Sequence, residues 1–185
     1  MNPVERTQSA DNLVWLDLEM TGLDPSRDAI LQAGLIITSS KLEVLEEFAC
    51  DIWQPESSLD SMVPFVRQMH ETNGLLRRVR ASTVDLAAAE RAIMQRVAGW
   101  CSYPAVLCGN SIGQDKRFVE QHMAGLAGYL SYRVVDVSSL KVLARLWHGD
   151  AAVYKKSAEG AHDALVDIRR SILELAHYRA TLFRD

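Results

Sequence analysis

No stretch of this chain is long and apolar enough to span a bilayer. The most apolar run, AILQAGLIIT at residues 29–38, is too short and too broken. The opening residues, MNPVERTQSADN, are polar and lack an apolar segment of signal-peptide type, so export is not expected. Cysteine is scarce: Cys50, Cys101 and Cys108 lie far apart, without CxxC spacing and in odd number. That argues against a disulfide framework or a thiolate metal site. It leaves reduced, packed thiols and a cytoplasmic protein as the expectation. Positive charge is also short, with a net charge of −4. A protein that grips long nucleic acid by its backbone is usually basic, so any nucleic-acid substrate is expected to be short. Local basic clusters do occur, at Arg77–Arg80, at Arg133 and at Lys155–Lys156, the last read as solvated surface. No internal repeat, low-complexity tract or linker interrupts the 185 residues, which suit one compact domain over 1–185.

What is present is an alternation of strand-like and helix-like segments. Residues 13–19 (LVWLDLE) read as a strand stopped by a Thr-Gly-Leu-Asp-Pro turn. Runs at 29–38 and 42–53, separated by Ser-Ser-Lys, suit an antiparallel hairpin. A short helix is expected near 69–79. A stronger one at 83–100 follows, where Leu86, Ile93, Val97 and Trp100 recur at helical spacing. Then come a buried strand at 105–111, a helix at 115–126, a strand at 132–138 and a helix at 139–147. A long amphipathic helix at 163–180 closes the chain, with Leu165, Ile168, Ile172 and Leu175 on its inner side. The order predicts an α/β fold, with a mixed sheet whose strands pair first antiparallel and then parallel, flanked by helices.

Within the first strand, WLDLEMTGLDP places Asp17 and Glu19 two residues apart. On a strand they point to one face, about 6.5 Å apart at ~3.3 Å of rise per residue. Two carboxylates that close resist burial unless a cation sits with them. Magnesium takes oxygen ligands and keeps positions for water or phosphate. Read alone, a D-x-E is also what the wet side of an ordinary strand looks like. Two further segments add acids: CGNSIGQDKRF puts Asp115 at a helix start, and AHDALVD puts His162 and Asp167 before and within the last helix. Asp115 alone reads as an acid at a helix N-terminus. His162 and Asp167, about 140° apart on one helix, would not share a face, so His162 fits better in the preceding loop. A loop histidine beside carboxylates suits a general base, with an ordinary pKa near 6.5.

Taken in order, LDLEMTGLD, GNSIGQDKRF and HDALVD resemble the three motifs of the DEDD exonucleases, in the subtype whose last motif carries a histidine. The resemblance extends over almost the whole chain, through YRVVDVSSLKVLARLW and AHDALVDIRRSILELAHYR. It implies a ribonuclease H-like domain, a homodimer, and stepwise 3′-to-5′ removal of 5′-mononucleotides from RNA of two to about five nucleotides, dinucleotides especially. It assigns Asp17, Glu19, Asp115 and Asp167 to two divalent ions, Mg²⁺ or Mn²⁺, and His162 to the general base. One ion would help generate hydroxide and the other steady the leaving 3′ oxygen.

The same likeness implies that Leu23 wedges between two bases and that Phe65 and His70 contact substrate. Ser111, Arg133, Ser138 and Lys141 would receive the 5′ phosphate, and Tyr132 would reach the neighbouring subunit's site. Phe65 stands where tryptophan is expected in many relatives; phenylalanine keeps a stacking face and loses the N–H donor. Ser138 also reads as a helix cap, and Leu23 as turn packing. His122, His148 and His177 read as surface or core residues. Three rivals stay open. One is a phosphatase using DLEMTG as a D-x-D-x-T motif, against which Glu19 stands. Another is an inert module of the same fold. The third is a related exonuclease acting on longer DNA or RNA ends.

Overall fold

The computed structural model describes residues 6–155 and 163–183. They hold a five-stranded sheet: β1 (Leu13–Met20), β2 (Ile30–Thr38), β3 (Val44–Asp51), β4 (Ala105–Gly109) and β5 (Leu130–Asp136). The spatial order is β3-β2-β1-β4-β5. The first three strands pair antiparallel, and β4 joins β1 and β5 in parallel, as the element order predicts. Every residue of β2 is buried, because helices cover both faces of the sheet there. That is why its sequence is a near-continuous apolar run rather than an alternation.

Helices α1 (Glu56–Asp60), α2 (Pro64–Thr72), α3 (Leu75–Ala81) and α4 (Leu86–Trp100) follow β3. α5 (Gly113–His122) and α6 (Ala124–Tyr129) lie between β4 and β5. α7 (Val137–His148) and α8 (Ala164–Leu182) follow β5. Val14, Leu16 and Leu18 of β1 pack on one side with Ile93 and Val97 of α4 and Phe118 of α5. Trp15 of β1 packs on the other side with Ile168, Ile172 and Tyr178 of α8 and Ala144 of α7. Asp17 and Glu19 share the face of Trp15, so they project toward α8.

Two boundaries differ from the sequence expectation. The single helix near 69–79 is instead α2 and α3, interrupted at Asn73–Gly74 and preceded by α1. These three elements roof Leu31 with Leu59, Met62, Leu75, Leu76 and Val79. The helix expected at 115–126 breaks at Met123, whose backbone leaves the helical region. The Glu90 carboxylate of α4 accepts the Gly125 and Leu126 amides and so starts α6 afresh, from 35 residues away in sequence. Burial pushes the thiols of Cys50 and Cys101 up to about 11, and all three cysteines are free. No helix among the described residues is long and apolar enough to cross a membrane.

Candidate active site

The site begins at the outer end of β1. Thr21 and Asp28 close the turn that follows. The Thr21 hydroxyl donates to Asp28, Asp28 accepts the Asp24 amide, and Thr21 Oγ1 accepts the Ala29 amide. A Cβ on Gly22 would stand 2.4 Å from the Asp28 carboxylate and would push it off its Thr21 and Asp24 partners. Leu23 is held at the tip by Gln114 of α5, whose amide donates to the Leu23 carbonyl at 2.6 Å. Its side chain stays 71% exposed.

α8 approaches the sheet unusually closely at Gly34, the β2 residue opposite Asp17. A Cβ there would lie 2.7 Å from Ala164 Cβ and 3.1 Å from the Ala164 carbonyl carbon. Gln32 receives the Ala164 amide at 3.1 Å, while the Asp163 side chain caps the helix by accepting from Val166. This docking brings Asp167, in the first turn of α8, over Asp17 and Glu19. One carboxylate oxygen from each of the three lies within 4.8 Å of the other two. A glycine inside a strand is the sequence signal for such a close backbone approach. Gly34→Ala should therefore lift the start of α8, at a cost of about 1–3 kcal/mol for the overpacking. Steady-state kinetics should show an activity loss exceeding what that destabilisation explains. A fully active Gly34→Ala enzyme would mean that the helix position is not what assembles the cluster.

Asp115, in the first turn of α5, reaches the same cleft from the opposite side. Its Oδ1 accepts the Leu18 amide of β1 at 2.9 Å. The cleft has a volume of about 550 Å³; Asp17, Glu19, Asp115 and Asp167 line it together with Leu23, Phe65, Met69 and Ser111. Burial, and then the charges of Asp167, Asp115 and Asp163, push Glu19 up from 4.5 to about 7. Asp115 is likewise pushed up to about 7, first by burial and secondarily by Asp136, against the lowering effect of the Leu18 amide. Arg170 pairs with Asp167 at 2.9 Å. An all-oxygen set in which Glu19 and Asp115 resist ionisation fits a hard divalent cation. Asp17, Glu19 and Asp167 would hold it, with Asp115 lining the same cleft.

The other expected residues fall in four places among the described residues. Phe65, 76% exposed at the start of α2, lines the cleft together with Leu23. His70 does not reach the cleft surface. It is fully buried behind Glu19, with Nε2 at 3.0 Å from the Met20 carbonyl and Nδ1 at 4.0 Å from Glu19. Ser138 and Lys141 line an adjoining cavity of about 400 Å³ with Arg145 and Lys155. Ser138 is joined to Ser111 by a hydrogen bond from the Ser111 amide at 2.8 Å. It does not cap α7, since that role falls to Asp136, which accepts the Ser138 amide. Tyr132 and Arg133 lie on the outer strand β5, exposed and outside the cleft lining. The Arg133 guanidinium sits 4.5 Å over the Tyr132 ring. His162 lies outside the described residues.

Known proteins share this fold. Exonuclease I of E. coli, solved with a 5cy-dT13 oligonucleotide, superposes with a TM-score of 0.73 at 15% identity, over 95% of this chain and 42% of that one. Exonuclease I of Methylocaldum szegediense gives 0.70 at 19% identity, over 92% and 41%. The chain thus spans about two fifths of the length of those proteins, and the likeness is one of fold, the ribonuclease H-like mixed sheet with its flanking helices. A family model described as exonuclease (RNase_T) matches residues 14–175. Fold, acidic cleft and family model define a metal-dependent exonuclease.

The curated relatives are more specific. The oligoribonuclease of Azoarcus sp. (strain BH72) is 43% identical over 180 residues, covering 96% of this chain and 98% of that one. That of Hahella chejuensis is 44% identical over 94% and 96%. That of Halorhodospira halophila is 46% identical over 94% and 95%. The chain belongs to the oligoribonuclease family.

Proposed function

We propose that this enzyme is a 3′-to-5′ exoribonuclease that degrades RNA of two to about five nucleotides, dinucleotides above all, to 5′-mononucleotides. The observation that carries the proposal is the convergence of Asp17, Glu19, Asp167 and Asp115 on one cleft that Leu23 and Phe65 also line. The carboxylates would hold two divalent ions, Mg²⁺ or Mn²⁺. When bound, such ions acidify water and neutralise charge on the phosphodiester. His162, one residue before the Asp163 cap of α8, would take the proton from the attacking water.

The remaining roles belong to the walls. The Leu23 side chain stands clear of the surface on a turn tied to Gln114, which suits an apolar wedge between two bases. Phe65, which lines the same cleft, offers a stacking face. His70 would act by holding Glu19 and the Met20 carbonyl in place. Ser111 and Lys141 would receive the 5′ phosphate, with Ser138 bonded behind Ser111, and so end the site after a few nucleotides. Arg133, the bidentate partner for that phosphate, and Tyr132 lie on an exposed edge strand. With Val134 of β5 and Val142, Leu146 and Trp147 of α7 they form an exposed, partly apolar surface that suits a second copy, hence a homodimer. One exonuclease domain covering 1–185 and acting in the cytoplasm completes the reading, to which three free thiols are suited.

The test is a comparison of purified enzyme, with Mg²⁺ or Mn²⁺, on a 5′-phosphorylated ribodinucleotide, a ten-nucleotide RNA and a DNA end. The expected result is fastest turnover on the dinucleotide, with mononucleotide products. Faster cleavage of the long strands would instead establish an exonuclease of longer ends. A phosphoryl group trapped on Asp17 would restore the phosphatase.

A further inference from the structure

Glu174 of α8 is a fully buried carboxylate that the chemistry above does not use. Its Oε1 accepts from the Tyr178 hydroxyl and its Oε2 from Asn110 Nδ2, each at 3.1 Å. Asn110 is the residue between β4 and Ser111. The same Nδ2 also donates to Ser171 at 2.7 Å, and Ser171 in turn donates to the Asp167 carbonyl at 2.9 Å.

These contacts have a fixed direction. A carboxylate accepts and does not donate, so the Asn110 NH₂ must face Glu174 and its Oδ1 must face the other way. There it accepts the hydroxyl of Ser138 at 3.1 Å. A serine hydroxyl has one proton, and Ser138 has spent it on Asn110. Toward the cleft Ser138 is therefore an acceptor, and it takes the Ser111 amide at 2.8 Å. That amide is shared with Asp136 at 2.9 Å. The proton between the two serine oxygens, 3.1 Å apart, then belongs to Ser111. Ser111 itself sits at φ 50°, a left-handed conformation that a non-glycine residue keeps only when its surroundings hold it there.

We propose that Glu174 and Asn110 are positioning residues for the substrate's terminal phosphate. They form a buried relay that fixes the Ser138 proton on Asn110, holds Ser111 in its left-handed backbone, and leaves the Ser111 proton, which lies toward Ser138 in the free enzyme, as the one of the two that turns to the phosphate. The inference rests on the reading of that wall as the 5′-phosphate end.

The test uses Glu174→Gln, Asn110→Ala and their combination in the full-length enzyme, assayed on ribodinucleotides with and without a 5′ phosphate. Glutamine keeps the shape of Glu174 and lets the Asn110 amide turn over. The kcat/KM ratio between phosphorylated and unphosphorylated substrate should fall at least fivefold in each variant, through KM. The kcat on the unphosphorylated substrate should stay within twofold. The double variant should match Asn110→Ala within twofold, because Glu174 acts through Asn110. Hydrogen exchange at the Ser111 amide should accelerate at least tenfold in all three. Equal losses on both substrates, or an unchanged Ser111 amide, would overturn the relay. A wild-type enzyme indifferent to the 5′ phosphate, with the Ser111 amide still released in the variants, would instead overturn the assignment of the wall and leave the relay standing.

Discussion

Asp115→Asn is expected to lower turnover by on the order of 10³-fold while leaving the chain folded and, without metal, more stable at pH 8. The loss follows from the chemistry of the cleft. One preorganised group aimed at developing charge is worth ~10²–10³ in rate, and a carboxylate facing the cation site lies at the upper end. The retained fold follows from the shape of the substitution: asparagine keeps an oxygen for the Leu18 amide, now accepted by Asp115 at 2.9 Å. The gain in stability follows from burial. Asp115 resists ionisation up to about 7 and also raises Glu19. Removing its charge relieves both, which should be worth about 1–3 kcal/mol where the two acids would otherwise be ionised. Single-turnover rates and thermal unfolding in EDTA measure the two effects separately. Wild-type rates would remove Asp115 from the reaction. Loss of activity together with loss of metal-free stability would mean that Asp115 is structural.

Much of this site is legible in the chain because its acids stand in short, ordered motifs on elements with strong patterns. The β1 alternation puts Val14, Leu16 and Leu18 on one face and Asp17 and Glu19 on the other, and the structure has them there. The hairpin of β2 and β3 and the parallel addition of β4 and β5 follow from segment order and connection length. What the sequence leaves dark depends on contacts between distant residues. The break at Met123 comes from Glu90. The approach of α8 is set by Gly34 against Ala164, 130 positions apart, and a lone glycine in AILQAGLIIT does not say which element it admits. His70 reads as a substrate residue by motif, yet its helix turns it inward onto the Met20 carbonyl. Asn110 and Glu174 look like ordinary polar positions until the fold places them 3.1 Å apart.

Without divalent ions the protein should lose stability as pH rises through the range where its cleft acids ionise. In the folded chain Glu19 holds its proton to about 7, against 4.5 for an ordinary glutamate, and Asp115 to about 7 against 3.8. Below about pH 3 both acids are largely protonated in folded and unfolded chains alike, and the site costs little. Between there and pH 7 the unfolded chain releases these protons while the folded chain keeps them, so stability falls with rising pH. Above pH 7 the full penalty is present. At about 1.4 kcal/mol per unit, the shift of Glu19 alone is worth ~3 kcal/mol. For a chain of this length 1 kcal/mol moves the melting temperature by roughly 2–4 °C. The melting temperature in EDTA should therefore drop by 5 °C or more, on the order set by that conversion, between pH 5.5 and pH 8. Mg²⁺ or Mn²⁺ reverses the electrostatic cost by sitting among the carboxylates, so either ion should raise the melting temperature more at pH 8 than at pH 5.5. Adding EDTA at pH 8 should abolish cleavage of the dinucleotide. If saturating Mg²⁺ and Mn²⁺ both leave the pH 8 melting curve where EDTA puts it, the acids of β1, α5 and α8 do not hold a cation, and their convergence needs another chemistry.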